Sequence, residues 1–164
     1  MLAAMKRHCG FLVPCTMALT SNLAFGAPAE ELNTIGKSLF HRECKDRVTL
    51  ESTKRNEYAE DDTIRIERWE CAGIISRVLI STTASDPSGM LLSLEIQAPT
   101  KGLPLHFQVG RPISSVIAVL GEPEKKSGRS LEYSTAADGE YSSSVEFRVA
   151  KGRITSIRWS WDID

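Results

Sequence analysis

The feature that most constrains the fold is a pair of alternating segments, each folded about a turn too short for a crossover. Thr63–Cys71 and Gly73–Thr82 flank Ala72-Gly73, and Ser143–Ala150 and Arg153–Ile163 flank Lys151-Gly152. In the first pair Ile74, Val78 and Ile80 fall on one face, and Ile75, Arg77 and Leu79 on the other. In the second, Val145, Phe147 and Val149 face one way, while Ile157, Trp159, Trp161 and Ile163 line the closing strand. Period-two alternation around a two-residue turn predicts an antiparallel hairpin, because parallel neighbours need a connection of a dozen residues or more.

Other strands are expected at Arg47–Ser52, Met90–Gln97 and Ser130–Ser134, with Leu105–Val109 short and extended. Turns are expected at Asp86-Pro87-Ser88-Gly89 and Ala137-Asp138-Gly139. Two segments read as helices. Leu32, Ile35, Leu39 and Phe40 make one helical face within Glu30–Phe40, which Gly36 weakens by about 1 kcal/mol. In Pro112–Leu120, Ile113, Val116, Ile117 and Leu120 form an apolar stripe. Pro112 suits its first turn, Gly121 the position past its end, and Pro123 forbids continuation.

The order helix, strand, polar loop, hairpin occurs twice. A shift of 79 residues lays Glu67 on Glu146, Gly73 on Gly152 and Val78 on Ile157. The expected fold is therefore α+β, with antiparallel sheets, two short helices and a candidate tandem pair of helix-plus-sheet units. The units would span residues 27–98 and 99–164, after a signal peptide at 1–26.

That leader has its own pattern. Lys6 and Arg7 are the only charged side chains before Glu30, the apolar run Phe11–Leu19 follows, and Ala24-Phe25-Gly26 offers a small-x-small cleavage site. The run is well short of the ~20 residues that span a bilayer and contains Pro14, so no stable membrane anchor is expected. Leu12-Val13-Pro14-Cys15 has proline where lipoprotein cleavage wants a small residue. Cleavage near Gly26 would deliver the chain to the periplasm or outside the cell. It would remove two of the 20 basic residues and none of the 21 acidic ones, leaving a balance of −3. So mild a charge gives no reason to expect nucleic acid as a partner.

Cleavage would also remove Cys9 and Cys15, leaving Cys44 and Cys71. An exported chain with two cysteines is expected to pair them, closing a loop of about 27 residues that stabilises by roughly 3–4 kcal/mol. The rival use, a metal held by His41, Cys44 and Cys71, needs free thiolates that an oxidising compartment removes. No metal or cofactor is expected.

Sequence motifs offer little catalysis. Gly-x-Ser-x-Gly, His-Glu-x-x-His and Walker patterns are absent from the chain, and the carboxylates Glu57, Glu60, Asp61 and Asp62 lack a calcium-loop pattern and read as a solvated loop. His106, with a carboxylate such as Glu95, is the alternative a small hydrolase would use. The large aromatics and arginines suggest an interface instead: Tyr141, Trp161, Arg148 and Arg158 are the candidate partner-binding residues.

Val109-Gly110-Arg111-Pro112, the helical stripe and Leu120-Gly121-Glu122-Pro123 are similar to the glycine-started helix ending in Leu-Gly-x-Pro of the BamE-like outer-membrane assembly proteins. The β-lactamase-inhibitory-protein family resembles it too. Tyr133, Val145–Val149, Lys151–Ile154 and the tryptophan-rich last strand continue the pattern, over roughly residues 105–163. The resemblance implies a non-enzymatic module that binds another envelope or periplasmic protein, as an inhibitor, immunity factor or assembly component.

Overall fold

The structure is a computed structural model that describes residues 27–164 except 42, 58, 84–88, 136–142 and 162–164. The expected signal peptide and the turns at Asp86–Ser88 and Ala137–Gly139 lie outside the described residues, as does Ile163. Helix α1 (Ala27–Ser38) leads into β1 (Arg47–Arg55), β2 (Thr63–Cys71), β3 (Ile74–Ser81) and β4 (Met90–Ile96). A 3-10 turn at Leu105–Phe107 and helix α2 (Ser114–Leu120) follow, then β5 (Lys125–Lys126), β6 (Ser130–Ser134), β7 (Ser143–Ala150) and β8 (Arg153–Trp161).

All eight strands form one antiparallel sheet in the order β1-β2-β3-β4-β8-β7-β6-β5. This corrects the expected α+β pair of helix-plus-sheet units: the chain is mostly β, with one continuous sheet and helices of only 12 and 7 residues. The physical reason is the β4–β8 pairing, Ser93↔Ser160 to Ile96↔Ile157, which joins the two halves edge to edge. One core then spans them. Leu94 and Ile96 of β4 and Ile157 and Trp159 of β8 are fully buried in the same cluster as Leu32 of α1 and Val116 of α2. The 79-residue shift preserves side-chain direction only in part: it lays buried Val78 and Ile80 on buried Ile157 and Trp159, but buried Trp69 on exposed Arg148 and buried Ile74 on exposed Arg153, on the turn side of the β7–β8 bulge.

Both two-residue turns have positive φ at both positions: Ala72 (48°) with Gly73 (81°), and Lys151 (51°) with Gly152 (72°). That backbone matches the right-handed twist of the strands it joins. Burial in β3 alternates without a break, with Ile74, Ser76, Val78 and Ile80 inward. The helices cover this inner face. Helix α1 lies close on β8, where the Trp159 Nε1–H donates to the Leu32 carbonyl at 2.9 Å and the Trp161 Nε1–H to Asn33 Oδ1 at 2.6 Å. Helix α2 is anchored beside the second hairpin turn. There the Gly110 N–H donates to the Ile154 carbonyl, the Ile154 N–H to the Arg111 carbonyl, and the Ile113 N–H to the Gly152 carbonyl. Its end is held by the Tyr133 hydroxyl, which donates to the Gly121 carbonyl. Burial, followed by the Glu122 charge, pushes that hydroxyl up to about 12.

An extended Leu105–Val109 is not what forms: Leu105–Phe107 winds into a 3-10 turn that sends Phe107 into the core, 5.8 Å from the Phe147 ring. Under β2 and β3 a smaller cluster gathers Trp69, Val78 and Ile80. Phe40 stacks on Trp69 at 5.8 Å, and the Lys45 ammonium sits 3.7 Å from its ring centre. No helix among the described residues is long and apolar enough to cross a membrane.

Candidate functional site

Because the helices sit on one side, the alternate residues of the strands present a second face, polar on β4, β6, β7 and β8 and partly aliphatic on β2 and β3, where Ile64, Ile66, Ile75 and Leu79 lie. Cross-strand register aligns one row over the whole sheet: Arg47, Glu70, Ile75, Glu95, Arg158, Glu146, Glu132, Lys125. The row beside it runs Arg68, Arg77, Ser93, Ser160, Ser144, Ser134. Four small hydroxyl side chains thus lie side by side in adjacent strands, Ser160, Ser144 and Ser134 half-buried and Ser93 buried.

Most charges on this face are already satisfied. Arg77 meets Glu51 at 2.7 Å, Arg68 meets Glu70 at 3.0 Å, Lys125 meets Glu132 at 2.8 Å and Arg148 meets Glu146 at 3.3 Å. Glu95 accepts a bond from the Gln97 amide at 2.9 Å. These exposed pairs contribute little to stability. Arg158 differs. It lies half-buried on β8 near the centre of the sheet, between the cross-strand neighbours Glu95 and Glu146, and forms no ion pair within 4.0 Å among the described residues.

The four expected partner-binding residues therefore separate. Arg148 and Arg158 share the polar face. Trp161 lies on the helix side, half-buried and bonded to Asn33, where it holds α1 to the last strand. Tyr141 lies outside the described residues. The hydrolase pair is not assembled: Glu95 points to the polar face, whereas His106 sits on the 3-10 turn of the helix side, edge-on to Phe107 at 4.0 Å.

Cys44 and Cys71 form the expected disulfide, with Cα atoms 5.6 Å apart. Asp46 stands beside them with an oxygen within 4.8 Å of both sulfurs. Its carboxylate accepts a bond from the Ala72 N–H at 3.0 Å, and the bonded sulfurs offer no thiolate for a metal. The bridge thus fixes the start of β1 to the turn that ends β2.

One residue has a role that sequence reasoning missed. Asp62, which the sequence places in a solvated acidic loop, is only 2% exposed. Its carboxylate accepts bonds from the Asn56 amide (2.7 Å), the Ser81 and Thr82 hydroxyls (2.8 and 3.0 Å) and the Thr83 N–H (3.1 Å). The Asn56 bond above all holds it well below the usual carboxylate range, with burial opposing and the bonds from Ser81, Thr82 and Thr83 reinforcing. Its partners Ser81, Thr82 and Thr83 lie 19, 20 and 21 residues further on, so no local pattern in the sequence marks it.

Comparisons with protein-family models, curated proteins and solved structures returned no match.

Proposed function

We propose that this chain is an exported, non-enzymatic protein-binding module. On this reading, residues up to about Gly26 are removed and the remainder works in the periplasm. There it docks another envelope or periplasmic protein on the polar face of its sheet, as an inhibitor or immunity factor does. The single observation that carries the reading is Arg158: a half-buried guanidinium at the centre of an open sheet face, with both neighbouring carboxylates engaged elsewhere. Arginine presented in this way is a frequent interface anchor, because a partner carboxylate can accept two parallel bonds from it. The row of small serines beside it, the leader-like N-terminus and the resemblance to inhibitory and assembly modules support the same reading.

Affinity capture from periplasmic and envelope extracts tests it. A stoichiometric protein should be retained and should be lost on Arg158→Glu, with Arg148→Glu weakening retention less. Retention unchanged by Arg158→Glu refutes the face. So does a turnover activity that disappears with His106→Ala while no protein is retained. N-terminal sequencing of chain recovered from the periplasm should begin near Ala27, and an intact Met1 in the cytoplasmic fraction would refute export.

A further inference from the structure

The sheet has two lateral edges, and they are unequal. At one end β5 has two residues, Lys125 and Lys126, a short charged strand of the kind that blocks further pairing. At the other end β1 runs for nine residues, every one exposed. Its backbone groups that point away from β2 have no strand beside them among the described residues. Residues Arg47–Leu50 pair in regular register with Glu70–Glu67, and the bulge comes only afterwards, between Leu50 and Ser52. Val48 and Leu50, which share a face of β1, are 47% and 57% exposed. An edge shaped only to repel neighbours has no use for two solvent-facing aliphatic side chains at alternate positions.

The edge is also tied at both ends. The Cys44–Cys71 bridge holds its start, the Asp46 N–H donates to the Glu70 carbonyl at 2.9 Å, and the Arg55 guanidinium closes its far end on the Glu60 carbonyl at 2.9 Å. Little ordering is left for binding to impose.

Charge selects the occupant. Arg47, Lys54 and Arg55 are cationic, and the one acidic residue of β1, Glu51, is engaged by Arg77. A second copy paired antiparallel over the full strand would set Arg47 against Arg55 and Glu51 against Glu51. Resting on the protein-binding reading above, we infer that the free edge of β1 takes an extended acidic segment of the partner as a further strand. Main-chain bonds would supply affinity, Val48 and Leu50 would receive alternate apolar side chains, and the flanking cations would select for Asp and Glu.

Selection of short random peptides displayed on phage against the disulfide-bonded protein tests this. The recovered peptides should be acidic, with apolar residues at alternate positions. A synthetic representative should slow hydrogen exchange at backbone amides of Arg47–Leu50. Its affinity should fall by about tenfold or more on Leu50→Lys and on the pair Arg47→Glu with Lys54→Glu. All three sites are exposed, so the variants should fold. Peptides without acidic bias, or binding indifferent to these substitutions, overturn the proposal. A concentration-dependent dimer abolished by Leu50→Lys also overturns it, because the occupant is then a second copy. A captured protein that is lost on Arg158→Glu but kept by Leu50→Lys overturns the edge site and leaves the protein-binding reading standing. Acidic peptide bound at β1 with no protein retained from any extract does the reverse.

Discussion

Gly36 shows how a single residue can look wrong for its element and be required by the fold. In the sequence it weakens a helix, and alanine there should gain about 1 kcal/mol from propensity alone. In the structure a Cβ on Gly36 would lie 2.6 Å from the Trp159 ring. That ring is fully buried and tied to the Leu32 carbonyl, so it has nowhere to go. Overpacking of this kind costs about 1–3 kcal/mol. Gly36→Ala is therefore expected to lower the melting temperature, with a net loss of up to about 2 kcal/mol, because the clash with the indole outweighs the gain in helix propensity. A rise would show that α1 does not rest on β8. Asp62 governs the pH response. A carboxylate held below its ordinary value of 3.8 stabilises the fold fully above that pH. The contribution is lost as pH falls through the folded-state value. Urea midpoints should show Asp62→Asn clearly less stable than wild type at neutral pH, with the gap narrowing in strong acid. A gap of equal size at both pH values would contradict the assignment.

Among the elements, the hairpin turns invite a direct test. Ala72 has φ of 48°, where a Cβ costs roughly 1–2 kcal/mol and where asparagine or glycine is at home. Ala72→Asn keeps the N–H that donates to Asp46 and should stabilise by about 1 kcal/mol in thermal unfolding; a loss would mean the Ala72 methyl makes a contact of its own. The same turns explain why much of the fold was legible. Glycine beside a small or charged residue, between strictly alternating runs, located β2, β3, β7 and β8 to within a residue or two. Legibility ended where the determinant was distant. The charged stretch after Ser52 reads as a loop, yet β1 continues to Arg55 because Lys54 and Arg55 pair with Ile64 and Thr63. Leu103–Val109 is a short apolar run of the sort that periodicity cannot assign, and Phe107 decides it by turning inward. Of the candidate site, Arg148 and Arg158 were legible as the polar alternates of two strands. Trp161 shares the face of its period-two partner Trp159, on the helix side, where Asn33 occupies its N–H.

For the molecule as a whole, the disulfide should carry a large share of the stability, because it closes a loop of 27 residues around the β1–β2 hairpin. Replacing both Cys44 and Cys71 by serine is expected to cost about 3–4 kcal/mol in denaturant unfolding. A cost below about 1 kcal/mol would mean that the reduced chain already confines that loop. The strand order has a different consequence, and it concerns time. The last strand in the chain is not at the border of the sheet but in its interior, between β4 and β7. A growing chain can close β1 to β4 by neighbouring hairpins, but that half then waits with the aliphatic side of Leu94 and Ile96 uncovered until β8 arrives. The architecture cannot be finished piecemeal from the N-terminus. Until β8 is available the polypeptide offers sticky, unpaired margins, at β4 and at β7 alike.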